Sequence, residues 1–234
     1  MILGIIPARA GSKGIENKNM ASCAGRPLID WTLQVATESK RLDHVVVSSD
    51  STEILAHCAG WANDPLTPVT AFTRPDDISG DDSRTEATIE HVLKVWDDTR
   101  SENVDTIVLL QPTSPMREAR HIDEAIFQFK TEDLDSLLSV VPSHSFLWQF
   151  GPTGEGVPVA HDPISRPMRQ QMKQYEENGA IYVTSAETFG TKRNRLGGRI
   201  GLYVMPEEHR LQIDTPLDLK LAGEMLSWRS MAVA

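Results

Sequence analysis

The feature that most constrains the fold of this chain is a series of short, continuously apolar runs of strand length. Runs such as ILGII and TIVLL carry apolar residues at successive positions instead of alternating with polar ones. This pattern is typical of strands that are covered on both faces, as in parallel sheets. The runs span residues 2–6, 44–48, 106–110, 136–141, 180–183 and 200–205.

Between these runs, apolar residues recur with the period of an α-helix. Ile89, Val92 and Trp96 fall on one helical face, and the segment around Ile122 to Phe129 repeats the pattern. Further helix candidates span residues 28–36 and 217–226. Strands that alternate with helices predict an α/β fold with a mostly parallel sheet. In such folds, ligands bind at the carboxyl ends of the strands.

Residues 142–178 interrupt this alternation. The segment is rich in Pro, Gly, His and Arg and has no long helical period. Long irregular insertions are usually functional or reach toward a partner. We therefore expect one domain over residues 1–234, with 142–178 as an inserted substrate-binding and dimerisation segment.

Composition narrows the function classes. The chain has 234 residues and a formal net charge of −10, which argues against a protein that coats nucleic acid. The two cysteines, Cys23 and Cys58, form no CxxC motif and indicate a reducing compartment. No apolar run approaches the ~20 residues that span a bilayer, and the N-terminus does not read as a signal peptide. We expect a cytoplasmic protein that binds neither membrane nor nucleic acid.

The loop after the first run is rich in glycine and cations. The stretch IPARAGSKGIENKN holds Arg9, Lys13 and Lys18 together with Gly11 and Gly14. A strand, a Gly-rich loop and a helix form a general arrangement for binding phosphate, because backbone N–H groups and cations meet the anion. The loop matches neither the Walker A motif nor G-x-G-x-x-G. Taken alone, it is also compatible with a polar turn whose charges are solvated.

Five motifs in a fixed order carry a resemblance to a known family. They are IPARAGSKGIENKN, VVVSSDS, RPDDISGD, LLQPTSPMR and ENGAIYV, and the resemblance extends from Ile5 to about Leu221. Together they resemble the cytidylyltransferases that activate acidic 2-keto sugars, the CMP-sialic acid synthetase family. The resemblance implies a Rossmann-like α/β domain with helices on both faces, a homodimer with a protruding arm, and a requirement for Mg²⁺.

The resemblance also implies roles for the residues that would hold CTP. The matching residues of the first loop would hold the triphosphate, and they are Arg9, Ser12, Lys13 and Lys18, with Asn19 beside them. Arg74 and Thr85 would bind the nucleotide from the motif RPDDISGDDSRTEA. Thr85 is equally compatible with a simple helix start. The segment of residues 48–51 would lie at the edge of the nucleotide pocket, but a residue of 49–51 also suits the N-cap of the next helix.

Three further residues match positions that contact the sugar in that family. Gln111 follows the TIVLL run, where sites collect in this architecture, and its amide can both donate and accept hydrogen bonds. Arg169, a better match than Arg166, would bind the substrate carboxylate in a bidentate manner. Tyr182 would lie near the same site, although its place in an apparent strand also suits a core residue.

Asp214 is the residue that the resemblance assigns to Mg²⁺. A single carboxylate with phosphate oxygens and water is adequate for Mg²⁺. Asp214 or Thr215 also suits the N-cap of a helix that has Pro216 in its first turn. The sialic acid enzymes usually carry Asp-x-Asp here, and this chain has Gln212 in place of the first carboxylate. A second departure is Trp148, where some of those enzymes have a Lys.

These residues lead to one expected reaction and two alternatives. We expect the transfer of CMP from CTP to the anomeric hydroxyl of an acidic nine-carbon 2-keto sugar, with release of pyrophosphate. The expected catalytic residues are Arg9, Lys18, Gln111 and Asp214. The alternatives are CMP-Kdo synthesis on an eight-carbon acid, or a non-catalytic nucleotide-binding protein of the same fold.

Overall fold

The computed structural model describes residues 1–11, 13–61, 67–168 and 171–233. Its centre is a seven-stranded sheet with the order β11-β7-β10-β6-β1-β4-β5. The strands are β1 (Ile2–Pro7), β4 (His44–Ser49), β5 (Val69–Thr73), β6 (Thr106–Leu109), β7 (Ser136–Ser143), β10 (Gln174–Ser185) and β11 (Ile200–Val204). Only β10 runs antiparallel to its neighbours β6 and β7 among the strand pairs of the described sheet, so the sheet is mostly parallel, as predicted.

Helices cover both faces of this sheet, which confirms the Rossmann-like α/β architecture. The helices are α1 (Leu28–Thr37), α2 (Thr52–Ala59), α3 (Thr85–Thr99), α4 (Ala119–Thr131), α5 (Ala186–Lys192) and α6 (Pro216–Val233). Apolar residues of α1, α2 and α4 share one core cluster with Ile6, whereas those of α3 and α5 share another with Leu3 and Ile5. Successive residues of β1 therefore point into opposite cores, and each fully buried Ile or Leu contributes about 1.5–3 kcal/mol.

A third, smaller core joins the C-terminal helix to the body of the fold. Leu28, Met116, Ile213 and Leu226 are buried together there. The start of α6 is fixed by Asp218, whose carboxylate accepts hydrogen bonds from the backbone N–H groups of residues 214 and 215, at 3.1 and 2.8 Å. This cap closes the first turn of α6, beside residue 214.

The predicted strands and helices are present, and they include α2, whose start the sequence indicated at residues 49–51. The structure adds the edge strand β5 and the short helix α5, which the sequence did not indicate. Residues 142–178 are more regular than predicted. They contain a two-stranded antiparallel hairpin, β8 (Leu147–Phe150) with β9 (Gly156–Val159), and the first residues of β10. The remaining short pair is β2 (Ser22–Cys23) with β3 (Arg26–Pro27).

The long strand β10 is interrupted by an irregularity that faces the site described below. Its register against β7 shifts between Glu177 and Tyr182. Asn178 is fully buried and anchors the irregularity, since its side chain accepts from Ser139 at 2.7 Å and donates to the backbone carbonyl of His209 at 3.1 Å. None of the helices in the described residues is long and apolar enough to cross a bilayer.

Candidate functional site

The cavity that collects the predicted site residues lies where the strands β1 and β6 end. Its volume is about 330 Å³. It is lined by seven of the predicted residues, namely Arg9, Lys18, Asn19, Arg74, Thr85, Gln111 and Asp214. These residues come from five separate segments of the chain, and the sheet topology brings them together at the edge where α/β folds bind ligands.

The loop after β1 is held in place by side chains on both sides. The backbone N–H of Ala10 donates to the Asp50 carboxylate at 2.8 Å, which ties the loop to the end of β4. Asn19 is buried and donates to the carbonyl of Arg9 at 2.9 Å. Gly14 lies so close to the backbone carbonyl of Asp214 that a side chain at position 14 would collide with it. The loop is thus built against the start of α6.

Two of the loop cations pair with one carboxylate. Arg9 Nη1 lies 2.6 Å from Asp81 Oδ1, and Lys13 Nζ lies 3.4 Å from Asp81 Oδ2. The hydrogen bond from Arg9, aided by Lys13, holds the pKa of Asp81 below its usual value. Lys13 is largely exposed and does not line the cavity, but its contact with Asp81 keeps it at the rim. Ser12 lies outside the described residues.

Lys18 lies deep in the cavity. Its ammonium group donates to the carbonyl of Ile213 at 2.7 Å and lies 3.3 Å from Asp214 Oδ1. The Lys18 side chain is 13% exposed, whereas that of Asp214 is 78% exposed. Asp214 therefore presents a carboxylate to solvent beside a buried cation. The predicted helix start is also confirmed, with Thr215 preceding α6 and its hydroxyl accepting from the N–H of Asp218 at 3.3 Å.

Arg74 is the most buried cation of the cavity, with 5% of its surface exposed. Its guanidinium donates to the hydroxyl and the carbonyl of Ser48 at 3.2 and 2.6 Å, so it also holds the end of β4. Removal from water lowers the pKa of Arg74 to about 10; the Asp50 carboxylate opposes this shift and Arg9 adds to it. The group is still charged at neutral pH.

Sequence analysis gave two interpretations for Thr85 and for residues 49–51, as helix starts and as parts of the nucleotide site. The structure is compatible with both. Thr85 is the first residue of α3, and it also lines the cavity together with Thr88. Ser51 is the N-cap of α2, where its hydroxyl accepts from the N–H of Ile54 at 3.3 Å. The N-terminal end of α3 thus adds its backbone dipole to the cations of the cavity.

Amide oxygens form the wall opposite the cations. Gln111 follows β6, and Gln212 precedes Asp214. Gly179 in the β10 irregularity has φ +65°, and a Cβ there would lie 2.7 Å from Gln111 Oε1 and 2.6 Å from Gln212 Oε1. The missing side chain at position 179 therefore leaves room for two amide oxygens that converge at Gly179, in the lining of the cavity that also contains Asp214.

Tyr182 is not among the residues that line this cavity, and its surroundings match the core alternative that the sequence also allowed. Its ring is buried in the core with Leu3 and Leu109, and the Arg195 guanidinium lies 4.7 Å from the ring centroid. Its hydroxyl donates to the Glu177 carboxylate, and burial raises its pKa. The register shift in β10 turns this residue toward the core. Arg169, the predicted partner of the substrate carboxylate, lies outside the described residues.

Asp81 and Gln212 are two residues of the cavity lining to which sequence reasoning assigned no role. The signals were present, because Asp81 lies within RPDDISGD and Gln212 replaces a carboxylate two residues before Asp214. In the part of the cavity that the structure describes, the lining contains three cations and two carboxylates. They are Arg9, Lys18 and Arg74, and Asp81 and Asp214. Such a set can bind a polyanion that replaces the internal carboxylates, with oxygen ligands nearby for a hard cation.

Comparison with known proteins agrees with this arrangement. Residues 3–229 match the family model described as cytidylyltransferase. An N-acylneuraminate cytidylyltransferase of Oncorhynchus mykiss is 34% identical over 227 residues, which are 95% of this chain and 50% of that protein. One of Escherichia coli O18:K1:H7 is 30% identical over 224 residues, covering 94% of this chain and 51% of that protein. The chain thus spans about half the length of these curated relatives.

A solved structure shares the fold at low sequence identity. The structure of CMP:2-keto-3-deoxy-manno-octonic acid synthetase in complex with CTP superposes with a TM-score of 0.70 at 14% identity, covering 97% of this chain and 99% of that one. At this identity the likeness concerns the fold alone. The family model, in contrast, matches nearly the whole sequence, and on that match the chain belongs to the cytidylyltransferase family.

Proposed function

We propose that this chain transfers CMP from CTP to the anomeric hydroxyl of an acidic nine-carbon 2-keto sugar and releases pyrophosphate. The observation that carries the proposal is the convergence of Arg9, Lys18 and Arg74 with Gln111 and Asp214 in one cavity at the strand ends. The names of the relatives from Oncorhynchus mykiss and Escherichia coli support N-acylneuraminate or a related sugar as the acceptor.

The cations supply the electrostatic part of the reaction. The sugar oxygen attacks the α-phosphorus, the bond from that phosphorus to the bridging oxygen breaks, and pyrophosphate leaves while the hydroxyl proton is released. Arg9, Lys13 and Lys18 stabilise the negative charge of the triphosphate and of the leaving pyrophosphate. Positioning and charge stabilisation of this kind supply most of the catalysis in phosphoryl and nucleotidyl transfer.

We further propose that Mg²⁺ is the cofactor and that Asp214 holds it. The donor set fits a hard cation, because the exposed carboxylate of Asp214 and the converging amide oxygens of Gln111 and Gln212 line the same cavity. When bound, the ion would neutralise phosphate charge and polarise the phosphorus centre. Lys18, 3.3 Å from Asp214, orients the carboxylate and adds a positive charge on the same side of the cavity.

The hairpin of β8 and β9 supports a homodimer. It exposes Leu147, Trp148 and Phe150, and Phe150 has 87% of its surface accessible. An apolar patch of this kind marks an interaction surface, and the resemblance suggests a second copy as the partner. In sedimentation experiments at micromolar concentration, we expect a dimer that the Leu147→Asp, Phe150→Asp variant shifts toward monomer. Trp228→Asp, which alters an exposed aromatic residue on α6, is the control.

We also propose that the protein works in the cytoplasm, where CTP is available. Both cysteines, Cys23 and Cys58, are free and buried, as expected in a reducing compartment.

The deciding experiment measures pyrophosphate release with CTP, Mg²⁺ and a panel of 2-keto acids: N-acetylneuraminate, legionaminate, pseudaminate, Kdn and Kdo. A preference for a nine-carbon acid supports the proposal. A preference for Kdo favours the eight-carbon alternative. CTP binding by calorimetry without release on any acid would favour a non-catalytic nucleotide-binding protein.

A further inference from the structure

Three metal-ligating side chains meet outside the nucleotide cavity. Glu118 is the N-cap of α4, His121 lies in the first turn of that helix, and His209 lies in the 3₁₀ turn Glu207–Arg210 after β11. One ligand atom from each residue lies within 4.8 Å of the others. None of these three described residues lines the cavity of Arg9 and Lys18.

The two histidines are buried with polar atoms that have no partner. His121 is fully buried and His209 is 4% exposed. Within the part of the chain that the structure describes, Nε2 of His121 and both ring nitrogens of His209 make no hydrogen bond. A neutral imidazole has one N–H donor and one lone pair, so His209 leaves both unused. Burial of such groups without a partner is unfavourable, and the lone pair is the one that binds a metal.

We propose that Glu118, His121 and His209 bind a first-row transition-metal ion, with Zn²⁺ as the best match. Imidazole nitrogens select such ions over Mg²⁺ or Ca²⁺, and two histidines with one carboxylate form a known zinc ligand set. Tetrahedral ligands about a zinc ion lie ~3.3 Å apart. Glu118 Oε1 and His209 Nε2 are already 3.8 Å apart, so a small closing movement brings them to that separation.

The site also has access to solvent. Glu118 lines a surface pocket together with Trp31 and Arg229. An ion can enter through this pocket, and a water molecule from it can take the fourth position. The ion would join α4 to the segment that leads from His209 to Gln212 and Asp214, and so fix that segment against the fold.

Several interactions compete with the ion, and one of them is the hydrogen bond from Arg120 Nε to Glu118 Oε2 at 2.9 Å. The N–H of Glu118 donates to Nδ1 of His121 at 3.1 Å, so Nε2 carries the proton in the metal-free state. Binding through Nε2 moves that proton to Nδ1 and breaks this hydrogen bond. Arg229 Nη1 lies 3.8 Å from Glu118 Oε1 and repels a cation there, while its 2.8 Å hydrogen bond to the carbonyl of Met116 can remain.

The test is a titration of the 234-residue chain, without a tag, with Zn²⁺ by calorimetry and with Co²⁺ by visible absorption. We expect one ion per chain, with the intense Co²⁺ bands of tetrahedral coordination. The same titration on Asp214→Ala should give the same result, which separates this site from the nucleotide cavity. His209→Asn should weaken binding at least about tenfold, since even the loss of a supporting hydrogen bond to a metal ligand has that effect.

Two further variants test whether the ion binds at the proposed site. His91→Asn is the matched control, because His91 is also partly buried with an unpartnered ring nitrogen but lies on α3. It should bind Zn²⁺ as the wild type does. Arg229→Gln removes the competing charge and should tighten binding. Absence of Zn²⁺ binding, a Co²⁺ spectrum of octahedral type, or equal weakening in the His209 and His91 variants would each overturn the proposal. The Co²⁺ spectrum of the wild type decides the matter even if His209→Asn does not fold.

Discussion

The guanidinium of Arg9 lies 2.6 Å from the carboxylate of Asp81, so the cation proposed to hold phosphate is already paired with an anion of the protein. Lys13 shares that anion, and Lys18 pairs with Asp214 in the same way. A triphosphate that enters the cavity must replace the Asp81 carboxylate at two cations. Asp81 is thus a competitor for the nucleotide as well as a part of its site.

Replacement of Asp81 by Asn should tighten CTP binding. The variant keeps the size of the side chain but removes the charge that competes for Arg9 and Lys13. We expect the Kd for CTP to fall about two- to fivefold, since exposed ion pairs of this kind are weak and screened by salt. Calorimetry at two salt concentrations measures the effect, which should be larger at low salt.

Asp82→Asn is the control for the Asp81 experiment. It removes the same formal charge from the neighbouring position. Equal tightening in both variants would mean that only the overall charge matters. Weaker binding in Asp81→Asn would instead mean that Asp81 contacts the bound nucleotide or its metal ion.

Most of the fold could be predicted because most of its strands and helices are long enough to show a local pattern of apolar residues. The continuously apolar runs marked the central strands, and helical periodicity marked α1, α3, α4 and α6. The missed elements are short. The helix α5 has seven residues, and the edge strand β5 has the mixed sequence VTAFT, in which partly buried residues give no continuous apolar run. These elements are stabilised by packing against their neighbours, which local patterns do not report.

Local signals alone indicated the loop of Arg9 and Lys18, because it follows a strand end and is rich in glycine and cations. Thr85 and Asp214 line the same cavity at helix starts, and they were named through the motif resemblance. The pairing of Arg9 with Asp81 joins segments some seventy residues apart along the printed sequence, and no periodicity indicates it. The register shift between Glu177 and Tyr182 is likewise not indicated by any local pattern of the sequence.

Asp214→Ala should abolish turnover without unfolding the protein. The side chain is 78% exposed, and such substitutions usually change the free energy of unfolding by no more than about 0.5 kcal/mol, or roughly 1–2 °C in Tm. We expect pyrophosphate release to fall at least about a hundredfold, as for removal of other groups that stabilise transition-state charge. Activity that returns fully at saturating Mg²⁺ would contradict the role of Asp214.

Asp218→Ala is the control for Asp214→Ala, because it should lower the stability of the protein without removing the carboxylate of Asp214. Asp218 caps α6 through the backbone N–H groups of residues 214 and 215, and loss of a cap destabilises a protein by about 0.5–2 kcal/mol. Its Tm should fall while the carboxylate of Asp214 remains in the cavity. The two neighbouring aspartates thus separate catalysis from stability.

Neither cysteine should react with alkylating reagents in the native state. Burial raises the pKa of the Cys58 thiol to about 12, with the Asp30 carboxylate adding to the effect, and burial raises the pKa of Cys23. Since the thiolate is the reactive form, native protein at pH 8 should show no labelling with iodoacetamide within minutes. Unfolding in guanidinium should expose two reactive thiols. Rapid native labelling of either cysteine would show that its region opens readily.

Gly179→Ala should impair the site beyond the effect of backbone strain. Gly179 has φ +65°, which disfavours any L side chain by about 1 kcal/mol, and its Cβ would also collide with the amide oxygens of Gln111 and Gln212. Gly25→Ala is the matched control, because Gly25 has φ +84° and no atom within 4 Å of the position of a Cβ. Both variants should lose stability, but only Gly179→Ala should displace the two amides and reduce kcat. Pyrophosphate release and thermal melting of the two variants measure these effects. Equal kcat in both would mean that the two amides can move without consequence for the reaction.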